Sequence, residues 1–269
     1  MGNEVINQSC RLCFGQLILG FQLRIMSKYD VEYFKCLNCD SLQTEPPYWL
    51  QESYQDGNLA DLDTGIFQRN LQNVPATIFT AILTRAKVAV DFGGGDGLLC
   101  RMVRDYGVNI YVSDKYGKNT YAKGFSKEID SSTDLVTSFE VFEHFANPAL
   151  DVKEIFNFSP NAILITTERF RDQDSTWDYL SPESGQHVFF YSEKALKLIA
   201  KEYGYRLIST GKYLPFSGYS LFLKSRNPLL LLSSYFVLNP IFCWISKGLF
   251  FLLPGIGALR DQKLLKAKS

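Results

Sequence analysis

Between Val88 and Gly97 the chain reads Val-Ala-Val-Asp-Phe-Gly-Gly-Gly-Asp-Gly, an apolar run closed by an acid and followed by four glycines in five positions. The run has the length of a short buried strand, and GLLCRMVRDYG after it reads as a helix closed by Gly107. A glycine-rich strand-to-helix turn lets backbone approach a bound molecule closely and aims the first amides of the helix at it. The dinucleotide pattern G-x-G-x-x-G is not met, because counting from Gly93 and Gly95 its last position falls on Leu98. The spacing that fits is D-x-G-x-G-x-G, on Asp91, Gly93, Gly95 and Gly97. An acid closing the strand suits a cofactor carrying an ammonium group better than one carrying a pyrophosphate.

The pattern then alternates. NIYVSD is a second strand, and its Asp114 stands 17 residues past Gly97, where a carboxylate can accept both hydroxyls of a ribose. DLVTSFE is a third strand, NPALDVKEIFNF a helix, AILITTE a strand, and SEKALKLIAKEYG a helix capped by Ser192. YRLIST and YSLFLK, separated by GKYLPFSG, close the series as a hairpin. Upstream, Thr64 to Arg85 has helical apolar spacing, with an interruption expected at Pro75. Strands alternating with helices imply an α/β fold: a doubly wound, Rossmann-like, mostly parallel sheet with a terminal antiparallel hairpin. The stretch from Asp114 to Asp134 is short and lacks a clear strand of its own.

Four of the six cysteines form two pairs, Cys10-Arg-Leu-Cys13 and Cys36-Leu-Asn-Cys39, with 22 residues between them. In a reducing compartment such pairs read as metal ligands before disulfides. Two intervening residues let one tight turn aim both sulfurs at a single ion, and two such turns complete a tetrahedral shell. The strand-like QLILGF and VEYFK between the pairs fit a small zinc ribbon; chance spacing and an exposed redox pair are the alternatives. Four thiolates leave no open position, so the zinc is expected to be structural. Pro46-Pro47 and the polar residues after them mark a boundary. The expected organisation is a ribbon over 1–45, a linker and helical cover over 46–86, a cofactor-binding domain over 87–224 and an apolar tail over 225–269.

The run from Lys87 to about Lys224 resembles the class I S-adenosylmethionine-dependent methyltransferases, through VAVDFGGGDG and DLVTSFEVFEHFANP. The wider layout, CRLC…CLNC…QTEPPYWLQESY and later GQHVFFYSEKAL, is similar to zinc-ribbon methyltransferases associated with sugar and surface-polysaccharide synthesis. The resemblance implies S-adenosylmethionine as cofactor, with Asp91 near the methionine ammonium, Gly93 and Gly95 against the cofactor, Asp114 on the ribose, and Phe125 or Phe139 flanking the adenine. It also implies a sugar or glycan intermediate as acceptor, nucleotide-linked or lipid-linked.

Glu140, Glu143 and His144 follow the strand DLVTSF at its carboxyl end, where an α/β sheet places its chemistry. The one other histidine, His187, lies in SPESGQHVFF. The E-x-x-E-H pattern with a distant His resembles the metal site of small-RNA 2′-O-methyltransferases and ubiquinone-pathway O-methyltransferases. Three readings stay open: a divalent ion such as Mg2+, a metal-free general base acting on the acceptor hydroxyl, and a structural role. The segment from Glu168 to Gly185, with Arg169, Arg171, Trp177 and Tyr179, is read as a lid over the acceptor, or as an ordinary polar loop.

Basic and acidic residues number 28 each, a balance that disfavours a nucleic-acid partner. The amino terminus carries no secretory pattern, so the cytoplasm is expected. From Leu229 to Ser246 no residue is charged, but Asn239-Pro240 breaks a simple span. Two short helices at a membrane surface fit the tail, and packing on the protein or on a second copy is the alternative. The function expected is methyl transfer to a small-molecule hydroxyl. An RNA methyltransferase with the ribbon as reader, and a catalytically silent scaffold, are the rivals.

Overall fold

The computed structural model describes residues 5–54, 65–210, 218–239, 241–242, 245–246 and 255–267, with side chains from residue 8 onward. The interval GKYLPFSG falls outside these residues except for its final glycine. The chain divides into two compact units. One takes residues 1–64, 140–154 and 167–203; the other takes 65–139, 155–166 and 204–269.

The second unit is the α/β body. Its strands are β5 (Ala89–Phe92), β6 (Ile110–Ser113), β7 (Leu135–Phe139), β8 (Ala162–Thr166), β10 (Arg206–Ser209) and β11 (Tyr219–Leu223), in the sheet order β10-β11-β8-β7-β5-β6. β6, β5, β7 and β8 run parallel, and β11 pairs antiparallel with both β8 and β10. This is the doubly wound sheet with a terminal hairpin that the alternation implies. β8 and β11 are interior strands, paired along both edges, and are buried at every position.

Three helices of this unit cluster beside the sheet. α2 (Ile66–Thr84) packs on α3 (Leu98–Asp105) and on α6 (Pro228–Val237). The interruption expected at Pro75 does not occur. α2 runs through it because the stretch from Asn73 to Ile78 is buried, and that packing outweighs the one lost backbone bond. After β6 no strand or helix forms until β7; the one ladder contact is a bridge from Val112 to Ser126. The last helix, α7 (Ile256–Lys266), packs on α3. Its Asp261 is buried and accepts from Arg104 Nε (2.7 Å) and Nη2 (2.9 Å), while the Arg104 guanidinium lies 3.6 Å from the centre of the Phe125 ring. A Cβ on Gly257 would stand 1.8 Å from Arg104 O, so only glycine permits this approach. The packing alternative therefore holds for the end of the tail.

The first unit is an antiparallel sheet in the order β1-β2-β3-β4-β9: β1 (Val5–Ser9), β2 (Gln16–Ile25), β3 (Tyr29–Cys36), β4 (Leu42–Thr44) and β9 (Phe189–Phe190). Its core gathers Val31, Tyr33, Trp49, Phe170, Leu180 and Phe190. Of the segment expected to form a lid, Phe170, Trp177, Tyr179 and Leu180 join this core, while the stretch from Arg171 to Thr176 is largely exposed. Arg169 is buried against Glu193 (3.1 Å), and Trp177 lies beside Phe170 and Phe190 with its Nε1 donating to Glu168. Among the described residues, no helix is long and apolar enough to cross a membrane.

Candidate active site

Three constellations carry chemistry, and each is built within one unit. In the α/β body, the register of β5 with β7 sets Asp91 opposite Thr137, whose hydroxyl donates to it at 2.8 Å. Asp91 is buried, and burial pushes its carboxyl up to about 7, opposed by the Thr137 bond. Gly93, Gly95 and Gly97 all take positive φ, and Gly97 is the residue that starts α3. Space for a Cβ on Gly95 is open to 4 Å, as a backbone cradle for a ligand requires. Gly94, which spacing alone does not single out, is the tight position: a Cβ there would lie 2.5 Å from Asp91 Oδ2.

Asp114 follows β6 and closes the turn. Its Oδ2 accepts from Gly95 N at 2.8 Å, and its Oδ1 accepts from Tyr116 N at 2.8 Å and from Gly117 N. A carboxylate offers about four acceptor positions, so ribose hydroxyls can still be accommodated. Phe125 is buried with the Arg104 guanidinium over its ring, and Phe139 packs edge-on against Tyr219 at 6.2 Å.

The four cysteines of the first unit converge. Cys10 and Cys39 sulfurs lie 3.7 Å apart, those of Cys13 and Cys36 lie 3.5 Å apart, and all four fall within 4.8 Å. A tetrahedral shell with Zn–S near 2.3 Å sets its sulfurs about 3.8 Å apart, so the cluster fits zinc. The two turns repeat one conformation. Phe14 and Asp40 both take positive φ and donate back to Cys10 O (2.9 Å) and Cys36 O (3.0 Å). Hydrogen bonding to Cys10 holds the Cys36 thiol well below its usual range, while bonding to Cys36 pushes Cys10 up and bonding to Cys10 and Cys36 pushes Cys39 up. A divalent ion would let all four ionise.

The third constellation also lies in the first unit. Glu143, His144 and His187 bring ligand atoms within 4.8 Å of one another, and the imidazole centroids are 4.9 Å apart, edge to face. Glu140 stands outside that trio and is tied to it through Tyr179. The phenol oxygen lies 2.9 Å from Glu140 Oε2 and 2.5 Å from Glu143 Oε1. One phenolic hydrogen cannot serve both carboxylates, so one carboxyl carries a proton or the pair faces a cation. Burial, and then the charge of Glu140, raise Glu143 well above the usual carboxylate range, which marks it as the proton's holder. Burial likewise keeps His144 neutral, with its Nδ1 3.1 Å from the Tyr54 hydroxyl. His187 Nδ1 lies 2.6 Å from Tyr179 O, which only accepts; Nδ1 therefore carries a hydrogen and donates it. Glu140 takes φ 54°, an uncommon backbone state for a residue other than glycine. Tyr54 is not marked as a site residue by spacing, since its partner His144 lies 90 positions on, and Tyr179, read in the sequence as part of a lid, takes its place in the cluster through Glu140 and Glu143.

A family model described as a methyltransferase domain matches residues 66–210. No curated protein matches the chain. Among solved structures it is similar to the mitomycin 7-O-methyltransferase MmcR, at 13% identity over 64% of this chain and 58% of that one, with a TM-score of 0.46. An O-methyltransferase family protein from Burkholderia thailandensis is similar at 16% identity over 66% and 63%, with a TM-score of 0.49. Magnesium protoporphyrin IX methyltransferase from Synechocystis PCC 6803, with bound SAH, is similar at 16% identity over 67% and 98%, with a TM-score of 0.43. The chain spans less than two thirds of the length of the first two.

Proposed function

The chain belongs to the methyltransferase-domain family, whose model covers more than half of it, and from that premise we propose that it methylates a small-molecule hydroxyl using S-adenosylmethionine. The observation that carries this reading is the Asp91–Gly97 turn, with Asp91 and Asp114 at the carboxyl ends of adjacent parallel strands. When bound, the cofactor supplies an electrophilic methyl on a sulfonium. Asp91 answers the methionine ammonium, Gly93, Gly95 and Gly97 admit the cofactor along the turn, and Asp114 takes the ribose. Phe139 or Phe125 borders the adenine.

The acceptor oxygen must lose a proton as it bonds to the methyl carbon. We assign that task to the Glu140, Glu143, His144 and His187 cluster, which the chain enters directly after Phe139, the last residue of β7. His144, held neutral, is the first acceptor for it, with His187 beside it at 4.9 Å between ring centres. The buried Glu143 Oε2, which has no hydrogen-bond partner among the described residues, supports the alternative to that base role, a bound cation. Two imidazoles beside one carboxylate suit Mn2+ or another first-row ion better than Mg2+, which favours oxygen ligands. The acceptor class we favour is a sugar or glycan intermediate, on the layout of the ribbon and catalytic segments. The four cysteines hold zinc as structure.

The tail supports contact with an anionic lipid surface. Leu229, Leu232 and Phe236 on α6 are 72%, 69% and 61% exposed, too many large apolar side chains on one short helix for an ordinary face. Residues 225–269 also contain six basic residues and a single acid, Asp261.

Transfer of radiolabelled methyl from S-adenosylmethionine to a panel of nucleotide sugars and lipid-linked sugars tests the central reading. Wild type should label a hydroxyl, and His144→Ala or His187→Ala should slow labelling about 10²–10⁴-fold with cofactor affinity kept. Full activity in the double variant would refute the base assignment, and binding of a nicotinamide dinucleotide instead would refute the cofactor.

A further inference from the structure

Arg11 occupies the turn between Cys10 and Cys13, so its backbone is set by the thiolate knuckle: Phe14 N donates to Cys10 O (2.9 Å) and Arg11 N donates to Gln43 Oε1 (2.8 Å). A charged residue between two zinc ligands is ordinarily solvated. Here the side chain turns away from the knuckle and takes four acceptors. Nη1 donates to Ala146 O at 2.9 Å, and Nη2 donates to Val188 O at 2.6 Å and to Thr44 O and Oγ1 at 3.2 Å each. Ala149 N returns a bond to Arg11 O.

Two of those acceptors are informative. Ala146 lies two residues after His144, and Val188 is the residue after His187. Val188 N in turn donates to Glu143 O at 2.9 Å. One planar guanidinium thus holds the backbone beside each histidine of the cluster, and the two histidine segments are tied to each other through the Val188–Glu143 bond. We infer that Arg11 is a positioning residue: it couples the order of the tetracysteine knuckle to the mutual placement of Glu143, His144 and His187. The inference deepens the proposed role of that cluster and rests on it for its catalytic consequence. The chemistry requires arginine. A rigid fork can donate to two divergent carbonyls from one fixed plane, whereas a lysine ammonium is a point donor on a flexible stem.

The test uses a feature of the composition. The chain has two histidines, both in this cluster, so long-range 1H–15N imidazole spectra of the full-length protein report this site and nothing else. Arg11→Lys should retain one zinc per chain and bind S-adenosylhomocysteine within about twofold of wild type. It should nevertheless shift or broaden both imidazole signals and lower kcat about tenfold or more, the scale on which displaced catalytic groups act. Arg24→Lys, at the exposed pair with Asp30 on the same sheet, is the control and should change neither. Should Arg11→Lys fold poorly, exchange of zinc for the larger cadmium ion in the wild type perturbs the knuckle without any substitution. The imidazole signals should move then as well. Unmoved imidazole signals in zinc-replete Arg11→Lys, or in the cadmium form, would overturn the coupling. Failure of the acceptor reading has a different mark: full methylation by His144→Ala/His187→Ala, with the imidazole coupling of the single-site comparison intact.

Discussion

If Asp91 meets the ligand ammonium as proposed, it sets the pH range over which the cofactor binds. The carboxyl is buried, and burial lifts it from the ordinary 3.8 to about 7. The free protein therefore holds a proton on Asp91 below about pH 7. A ligand ammonium needs the carboxylate, so binding below that pH must expel the proton. An ammonium about 4 Å away at an effective dielectric constant near 20 contributes about 4 kcal/mol, enough to return the group to an ordinary carboxylate range. The expected sign follows: affinity for S-adenosylhomocysteine, which carries the same ammonium, rises about tenfold per pH unit up to pH 7. It levels off above pH 7, where Asp91 is already ionised in the free protein.

Isothermal titration at pH 5.5 to 8.5 in buffers of differing ionisation enthalpy measures both quantities, and near pH 6 it should detect close to one proton released per ligand bound. Asp91→Asn should bind weakly with no slope below pH 7. The free protein carries the opposite linkage. A carboxyl with a raised pKa favours folding at low pH and opposes it increasingly between about pH 4 and 7, by about 4 kcal/mol in all for a rise from 3.8 to about 7. Unliganded Asp91→Asn should therefore melt above wild type at pH 8, and the gap should close toward pH 4. A flat affinity profile in the wild type, or an Asp91→Asn profile with the same slope, would refute the reasoning.

Three other outcomes are expected. Cys36→Ser should lower elemental zinc from about one per chain to near zero and lower the melting temperature, since structural zinc contributes directly to folding; unchanged zinc content would count against the knuckle. Gly94→Ala should destabilise the unliganded protein by about 1–3 kcal/mol, because its Cβ would press on Asp91 Oδ2, whereas Gly95→Val meets open space but sets a β-branched residue at φ 55°, so it should abolish ligand binding in calorimetry and also lower the melting temperature. Leu232→Glu/Phe236→Glu should reduce sedimentation with phosphatidylglycerol vesicles while leaving cofactor affinity unchanged, and equal sedimentation would argue against a lipid surface. Substitution is preferable here to removing the tail, because deletion would also strip Asp261 from the buried Arg104.

The parts of this fold legible in the sequence are those whose determinants are local. β5 and β8 announce themselves because strands buried on both faces leave unbroken apolar runs, and Ser192 marks the start of α5 (Glu193–Glu202) by capping Ala195 N. Asp91, Gly95, Asp114 and the four cysteines are legible for a related reason: a turn that cradles a ligand or aims two thiolates must be written in adjacent residues. Pairings between distant segments leave no such mark. The two-residue strand β9 joins β4 through Leu42↔Phe190 and Gln43↔Phe189, and no periodicity over two residues could reveal it. Tyr54 and Arg11 are of ordinary type in ordinary surroundings, and they acquire their roles from His144, 90 positions away, and from acceptors as far as Val188, 177 positions away. The tail holds an intermediate case. Asp261 is the sole acid among residues 225–269, and it is also the residue that the buried Arg104 holds. Burying an arginine on the body requires an opposite charge to meet it, so a lone acid in a basic apolar segment is itself a sign that the segment folds back onto the protein.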